Sequence, residues 1–372
     1  MIIDPSRLFR LAATSGGIYP TRIPAFIIYF LKVTNSFIFS LIEKIFFGRR
    51  ISNQKVQSPV IILGHYRSGT TFLHRLLLTD KRFGFMTYMN VISPFCSILS
   101  ERANKFLSRY IQRLNISNWA FNNTVFKPED PSEEDMMMAS AGMRYSFDWG
   151  FIFPLKAKSL MTEYVLFRDN QSRKKWQDAY LYTVKKLSLK NKGKRLLLKN
   201  PPNTGRIKAL LELFPDARFI FIYRNPYHVF LSTQYLWQHM VKKLTLQKLS
   251  DQQQEEIILN CYLILMNNYQ EEKNLIPEDN LVEIRYEDLK KETYLCLEKI
   301  YNKLDIEGFD SIGDDFRLAV SRENRYVISP YHFTEEIVSK IENHWGAFIE
   351  KWNYEAPAGI DRSKKGRKYG KF

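Results

Sequence analysis

The chain has 372 residues, and its 55 Lys and Arg outnumber its 39 Asp and Glu, for a formal net charge of +16. With 45% hydrophobic and 15% aromatic residues, this composition excludes a disordered, collagen-like or low-complexity chain, and the length suits one large domain or two. Three widely spaced cysteines (Cys96, Cys261 and Cys296) exclude a disulfide framework and a cysteine-rich zinc site, and they fit a reducing compartment.

Two strongly apolar stretches, 23–31 and 37–47, lie near the N-terminus, and charged or polar residues such as Lys32 and Glu43 interrupt them. No uninterrupted run approaches the ~18 residues of a membrane-spanning helix, and no signal-peptide cleavage pattern follows. Two interpretations remain open. The stretches form a pair of amphipathic helices docked on the core, or an interfacial helix lies on a membrane, helped by the nearby Arg49 and Arg50.

Short apolar runs alternate with helical patterns through most of the remaining chain. The runs that predict buried strands are 59–63, 195–199, 218–223 and 281–286. The segments that predict helices are 70–78, 207–214, 226–239, 251–274, 292–303 and 334–352. Asn225 is a good cap for the helix that Pro226 begins. We interpret residues 80–175 as largely helical insertions, and the whole as an α/β fold with a parallel sheet flanked by helices.

This pattern divides the chain into three predicted regions. Residues 1–55 form an apolar helical segment, residues 56–355 form the α/β domain with acceptor-side insertions at 80–175, and residues 356–372 form a basic tail. The tail is a solvated terminus or an arm that contacts phosphate or lipid. Because no motif for reading DNA or RNA is present, we expect no nucleic-acid partner.

The segment Gly64-His-Tyr-Arg-Ser-Gly-Thr-Thr71 follows the first predicted strand and precedes a helix. It nearly matches the P-loop of nucleotide-binding proteins, whose backbone amides hold phosphate. The P-loop lysine is replaced by Thr70, however, and a cation appears inside the loop at Arg67. The loop therefore predicts an anion site, and usual ATP chemistry is doubtful. A plain turn between strand and helix is the alternative.

Arg224 directly follows the third predicted strand, and Ser232 lies eight residues later on the next helix. The planar guanidinium suits a phosphate, and a serine hydroxyl adds a neutral hydrogen bond. Because ligands bind beyond the carboxyl ends of parallel strands, the loops at 64–69, 199–204 and 224–226 are predicted to converge on one site. The alternative for Arg224 is a pairing with a local carboxylate.

Taken together, H-Y-R-S-G-T-T at 65–71 and R-N-P at 224–226 with its serine resemble the sulfotransferases that use 3′-phosphoadenylyl sulfate (PAPS). The stretches 59–74, 198–207 and 213–226 resemble a bacterial branch of that family, and the likeness covers roughly residues 59–305. It implies a P-loop-containing, sulfotransferase-like α/β fold.

The resemblance also implies roles for individual residues. It implies that the 5′-phosphosulfate of PAPS is bound by Arg67, Ser68, Gly69, Thr70 and Thr71. It also implies that the 3′-phosphate is bound by Arg224 and Ser232. Tyr286, in a Tyr-Glu-Asp stretch, matches a tyrosine that contacts the adenine. The alternative for Tyr286 is a strand-end side chain that faces solvent.

Sulfuryl transfer needs cations that stabilise charge on the leaving oxygen, and Lys199 and Arg67 are the catalytic candidates. We expect no metal, since these cations replace it. The resemblance implies a basic histidine two residues after the lysine, but Pro201 occupies that position. The remaining candidates for the base are a carboxylate within 133–135 or His65, and we choose Glu134.

The acceptor is predicted only by class. The insertions contain aromatic and Met residues at 136–138, 149, 151 and 153. These residues either line an apolar pocket or belong to the core. A pocket would suit a hydroxyl or amine on a small or lipid-like molecule. The sequence thus predicts a cytoplasmic PAPS-dependent sulfotransferase, with membrane contact through its N-terminal segment as a further option. An ATP-dependent kinase or NTPase and a non-catalytic basic protein that binds membranes or polyanions are the alternatives, and the oligomeric state is left open.

Overall fold

A computed structural model describes residues 5–95, 98, 109, 127–323, 331–358 and 360. Cys96, much of the predicted insertion and the basic tail from residue 361 onward lie outside these residues. The described strands are β1 (Val60–Leu63), β2 (Leu197–Lys199), β3 (Arg218–Tyr223) and β4 (Leu281–Arg285). They form one sheet in the order β2-β1-β3-β4, and every neighbouring pair is parallel. The predicted α/β fold with a parallel sheet is confirmed.

Fifteen α-helices are described within these residues. They are α1 (Ser6–Thr14), α2 (Ile23–Asn53), α3 (Thr70–Leu77), α4 (Tyr88–Ile92), α5 (Glu134–Ser140), α6 (Trp149–Ile152), α7 (Ala157–Tyr164), α8 (Asn170–Lys190), α9 (Ile207–Leu213), α10 (Pro226–Leu244), α11 (Asp251–Glu272), α12 (Tyr286–Lys291), α13 (Thr293–Lys303), α14 (Gly313–Glu323) and α15 (Glu335–Lys351). A 3₁₀ turn at Pro201–Gly205 follows β2.

The helices cover both faces of the sheet, because successive strand side chains point to opposite sides. Ile61 and Leu63 pack into a core cluster that α8, α9, α10, α11 and α15 complete. Val60 and Ile62 pack into a second cluster with α3, α12, α13 and α14. All four residues of β1 are completely buried, as expected for the apolar run of a parallel strand.

Most predicted elements are found with shifted ends. The helix that begins at Pro226 continues to Leu244 rather than ending at 239, and the Asn225 side chain caps it by accepting the Tyr227 N–H at 3.0 Å. Tyr286 does not end the fourth strand. It begins the next helix, because β4 stops at Arg285.

The N-terminal region differs more from the sequence-based prediction than the other elements do. The predicted pair of helices is a single helix, α2, of 31 residues. Lys32 and Glu43 do not interrupt it, since both are tolerated in a helix. One stretch, Pro20–Asn53, is long and apolar enough to cross a membrane by length and composition, with a mean hydropathy of 1.8 in its most apolar window.

Candidate active site

The loop between β1 and α3 has a backbone that needs its glycines. Gly64 (φ 146°) and Gly69 (φ 102°) lie in the region that favours glycine. A Cβ at Gly69 would lie 2.3 Å from Cδ2 of Tyr286. The Gly64 amide donates to Oγ1 of Thr204 at 2.8 Å, which joins this loop to the one after β2. The loop therefore places the N-terminus of α3 at the carboxyl edge of the sheet, where its amides can hold an anion.

Arg67, Arg224 and Ser232 meet beside this loop. Arg67 Nε donates to Ser232 Oγ at 2.8 Å across 165 positions of sequence. Arg224 donates through Nη1 to the Arg67 carbonyl at 3.2 Å. The Arg224 side chain is largely buried, and its Nε has no hydrogen-bond partner among the described residues. Two arginines and a serine from distant segments thus form a compact basic cluster.

Tyr286 completes this cluster on the side of the second core. The Arg224 guanidinium lies 4.5 Å from the centroid of the Tyr286 ring, a cation–π contact. The ring also packs edge-on against Phe72 of α3 at 6.3 Å. Burial raises the pKa of the Tyr286 hydroxyl. The side chain is half-buried within the site, rather than a strand-end residue that simply faces solvent.

Lys199, the last residue of β2, lies at the other end of the loop. Its side chain is 3% exposed, and its ammonium forms an ion pair with Glu133. Lys199 Nζ also donates to Thr71 Oγ1 at 3.3 Å. The lysine is therefore beside the α3 N-terminus, as the convergence of strand ends predicts, and not on the surface.

The neighbouring Glu134 lies deeper. Its carboxyl group is completely buried and accepts hydrogen bonds from the Tyr180 hydroxyl at 3.3 Å and from Asn203 Nδ2 at 3.4 Å. Burial, together with the nearby Asp135, raises the pKa of Glu134 to about 8. Of the two glutamates, Glu133 and not Glu134 contacts Lys199.

Asp135 forms a buried pair that the sequence analysis did not single out. Arg206, at the end of the 3₁₀ turn, donates to both carboxylate oxygens of Asp135 at 3.0 Å. Both side chains are completely shielded from solvent, and the Arg206 guanidinium lies 4.7 Å from the Trp176 ring centroid. This pair fixes α5, which carries Glu134, against the turn after β2. Arg206 ends the N-P-P-N-T-G-R stretch that follows β2, and its place after a strand end was the available signal.

Asp148 and Tyr66 are two further polar groups that sequence reasoning missed. Asp148 is buried, and no residue in the described ranges forms a hydrogen bond with its Oδ1. Burial raises its pKa well above the usual range, and the charges of Asp135 and Glu133 add to this effect. The buried Tyr66 hydroxyl likewise has no partner in the part of the chain that the structure describes, and its ring packs against Phe151 at 5.7 Å. Both groups add polar atoms to an otherwise aromatic wall near the carboxylates.

Most of the apolar insertion residues belong to the core. Trp149, Phe151, Phe153, Met137 and Met138 are all at most 5% exposed, so the core interpretation applies to them. His65 is also buried: its Nδ1 lies 2.8 Å from the Tyr66 carbonyl oxygen, and its ring packs on Tyr262. Burial lowers the pKa of His65 to about 4, which keeps the ring neutral at physiological pH. Within the part of the chain that is described, no cluster of His, Cys, Asp and Glu could hold a metal ion.

Comparisons with known proteins identify the family. A model described as "Sulfotransferase family" matches residues 59–311. Two curated relatives, from Mycobacterium bovis and Mycobacterium tuberculosis, are each named omega-hydroxy-beta-dihydromenaquinone-9 sulfotransferase Stf3. Each is 28% identical over 329 residues, which cover 88% of this chain and 83% of the relative.

Two solved structures share the fold. The sulfotransferase STF9 from Mycobacterium avium superimposes with a TM-score of 0.74 at 16% identity, over 95% of this chain and 93% of that one. The sulfotransferase STF1 from Mycobacterium tuberculosis gives 0.68 at 15% identity, over 91% and 90% of the two chains. The family match decides against the NTPase and the non-catalytic alternatives. A family model that spans the loop, the basic cluster and Lys199 leads to one conclusion: the chain belongs to the sulfotransferase family and is an enzyme that transfers sulfuryl groups.

Proposed function

We propose that this enzyme transfers the sulfuryl group of PAPS to a hydroxyl group of an apolar, lipid-like acceptor. The observation that carries the donor assignment is the contact of Arg67 with Ser232, to which Arg224 is joined through the Arg67 carbonyl. This arrangement places two cationic side chains beside the α3 N-terminus. A donor with two separate anionic groups suits this arrangement, because one group can bind the basic side chains and the other can bind the α3 N-terminus.

The residues present fit PAPS. Within the described part of the chain, the buried Nε of Arg224 has no partner, and a buried guanidinium donor is costly unless an anion or water satisfies it. Arg224 and Ser232 would hold the 3′-phosphate, the loop at 64–71 would hold the 5′-phosphosulfate, and Tyr286 would contact the adenine. Bound there, PAPS would supply the sulfuryl group and a phosphate leaving group.

Catalysis then depends on cationic side chains that are held in fixed positions around the reacting group. Lys199 is held against Thr71 at the start of α3, and Arg67 is held by Ser232 on the other side of the loop. Donors that are already oriented stabilise developing negative charge without reorganisation, and they act more strongly in a site shielded from water. Lys199 and Arg67 would therefore stabilise the leaving oxygen.

Glu133 is the best-placed group to accept the proton of the acceptor. Its carboxylate contacts Lys199 and is 16% exposed, so it is adjacent to the reacting centre and reachable by an acceptor. Glu134, the choice made from the sequence, is completely buried and holds Tyr180 and Asn203. We therefore assign the base to Glu133 and a positioning role to Glu134.

The acceptor class is supported by one observation. The curated relatives carry a hydroxy-dihydromenaquinone in their names. We also propose that the enzyme works in the cytoplasm, since Cys261 and Cys296 are buried free thiols, as a reducing compartment allows.

Calorimetric binding of 3′-phosphoadenosine 5′-phosphate, ADP and ATP with magnesium tests the donor assignment. We expect the 3′-phosphorylated ligand to bind at least about tenfold more tightly than the other two, or ~1.4 kcal/mol. Arg224→Ala should remove this preference, because it removes the fork that faces the 3′-phosphate. Arg317→Ala, on the exposed face of α14, is the matched control and should keep it. Equal or tighter binding of ATP with magnesium would refute the assignment.

A further inference from the structure

We propose that α2 lies on the surface of a membrane that contains anionic lipid and inserts its outward face into it. That face is a stripe of apolar side chains at helical spacing. Its most exposed members are Ile45 (78%), Phe46 (72%), Ile28 (65%) and Leu31 (60%). Seven further large apolar residues of this helix are also exposed: Ile23, Ile27, Phe37, Ile38, Phe39, Leu41 and Ile42. A contiguous apolar surface of this kind marks an interaction site.

The inward face of α2 is mixed. Phe26, Val33 and Ile51 are buried against the domain, together with the polar Ser36, Ser40 and Glu43. Glu43 forms a buried ion pair with Lys186 of α8 and accepts a hydrogen bond from the Tyr182 hydroxyl at 2.8 Å. The helix thus buries a charged side chain and exposes many large apolar ones, whereas an ordinary surface helix presents a polar face to water.

The domain holds α2 along its whole length of about 46 Å. Near its start, the Tyr29 hydroxyl donates to the Leu244 carbonyl at 3.1 Å. Glu43 is held in the middle, and near the end Lys185 Nζ donates to the Ser52 carbonyl at 2.6 Å. A helix that crosses a membrane would have to be surrounded by lipid or by other membrane-spanning protein along its length. A helix docked sideways on an α/β domain instead presents one face to a membrane plane.

Charge identifies the occupant as anionic lipid rather than a second copy of the chain. Residues 5–58 contain eight Lys and Arg and a single acid, the buried Glu43. At the C-terminal end of α2, a recess of about 380 Å³ is lined by Arg49, Arg50, Asn53, Gln54 and Leu189. Two such basic surfaces repel each other, whereas basic residues beside an inserted apolar face attract anionic headgroups.

The same contacts place this surface next to the acceptor side of the enzyme. Lys186, which pairs with Glu43, also donates to the Pro94 carbonyl. Lys190, one turn later, donates to Asn90 Oδ1 at 3.0 Å. Helix α8 therefore joins α2 to the segment that leads into the insertions before Glu133. The membrane proposal concerns binding alone, and it stands whether or not the acceptor is a lipid.

Co-sedimentation of the full chain with vesicles tests this proposal. One set is phosphatidylcholine, and the other is an equal mixture of phosphatidylcholine and phosphatidylglycerol. We expect binding to the mixed vesicles, and the triple variant Ile28→Ser, Ile45→Ser, Phe46→Ser should lower the partition coefficient at least about tenfold. The matched control is Leu275→Ser, Leu295→Ser, Leu318→Ser, which changes side chains of 51–56% exposure elsewhere and should bind like the unchanged protein. Unchanged binding of 3′-phosphoadenosine 5′-phosphate and an unchanged thermal unfolding midpoint would show that both variants are folded.

Three outcomes would overturn the proposal. The first is an unchanged protein that stays in the supernatant with both vesicle types. The second is binding that the triple variant retains and high salt abolishes, since it would be electrostatic only. The third is a dimer in solution that the triple variant converts to a monomer, because the apolar face would then be an interface between copies.

Discussion

Glu133 and Glu134 are neighbours in the chain, but their carboxyl groups lie in different surroundings. Glu133 pairs with Lys199 and keeps some exposure, whereas Glu134 is enclosed by Tyr180 and Asn203. At the start of a helix, adjacent side chains point in different directions. Spacing in the sequence therefore locates the acidic stretch without deciding which carboxylate reaches the reacting centre.

Glu133→Gln tests the proposed base. We expect it to lower kcat for transfer of labelled sulfate from PAPS to a hydroxylated lipid by at least about a hundredfold, because a positioned base contributes that much or more. Binding of 3′-phosphoadenosine 5′-phosphate should change little. Glu134→Gln keeps the shape and the acceptor oxygen, so it should retain most of the activity. If Glu134→Gln lowered kcat far more than Glu133→Gln, the base would be Glu134 and the assignment to Glu133 would be wrong.

Burial raises the pKa of Glu134 from its ordinary value of 4.5 to about 8, which predicts a pH effect on stability. Between these two values the folded protein holds a proton that the unfolded chain has released. The free energy of unfolding should therefore fall as pH rises from 4.5 to 8, by at most roughly 1.4 kcal/mol per pH unit.

Denaturant unfolding at several pH values measures this slope. Glu134→Gln cannot lose a proton, so its slope should be shallower than that of the unchanged protein. It should not vanish, because burial also raises the pKa of Asp148. Glu336→Gln, at an exposed position of α15, is the control. Equal slopes in all three proteins would contradict the assignment.

At the scale of elements, the Asp135–Arg206 pair holds α5 against the turn after β2. Removing one partner of a completely buried ion pair leaves an uncompensated charge and costs about 3–5 kcal/mol. We expect Asp135→Asn to lower the free energy of unfolding by about that amount, measured by urea unfolding. Asp178→Asn breaks the exposed Lys174–Asp178 pair of α8 and should cost less than about 1 kcal/mol. Similar losses in both variants would show that the buried pair does not anchor α5.

Helix α2 shows where an element departs from its sequence pattern. Two apolar stretches separated by polar residues predict two helices or an interfacial one, and the chain forms one continuous helix. The interrupting Glu43 turns inward to Lys186. Its partner lies more than a hundred positions away, so local sequence could not indicate that a charged residue would face the domain and the apolar residues would face outward.

At the scale of the whole molecule, the site exists because parallel strands end at one edge of the sheet. Arg67 follows β1, Lys199 ends β2 and Arg224 follows β3, so one sheet order brings all three together. Helix α8 joins the basic N-terminal surface to the segment that contains Asn90 and Pro94. The candidate site and the proposed membrane surface are thus parts of one scaffold.

By itself, the sequence determined the α/β class, the parallel strands, the loop at 64–71 and the basic residues at the strand ends. These follow from local patterns: apolar runs, glycines that need positive φ, and polar residues directly after strands. Tertiary structure alone decided which carboxylate contacts Lys199, that Arg206 and Asp148 lie near the site, and which face of α2 is exposed. Those features depend on contacts between distant segments and on burial, and neither is encoded in the spacing of residues along the chain.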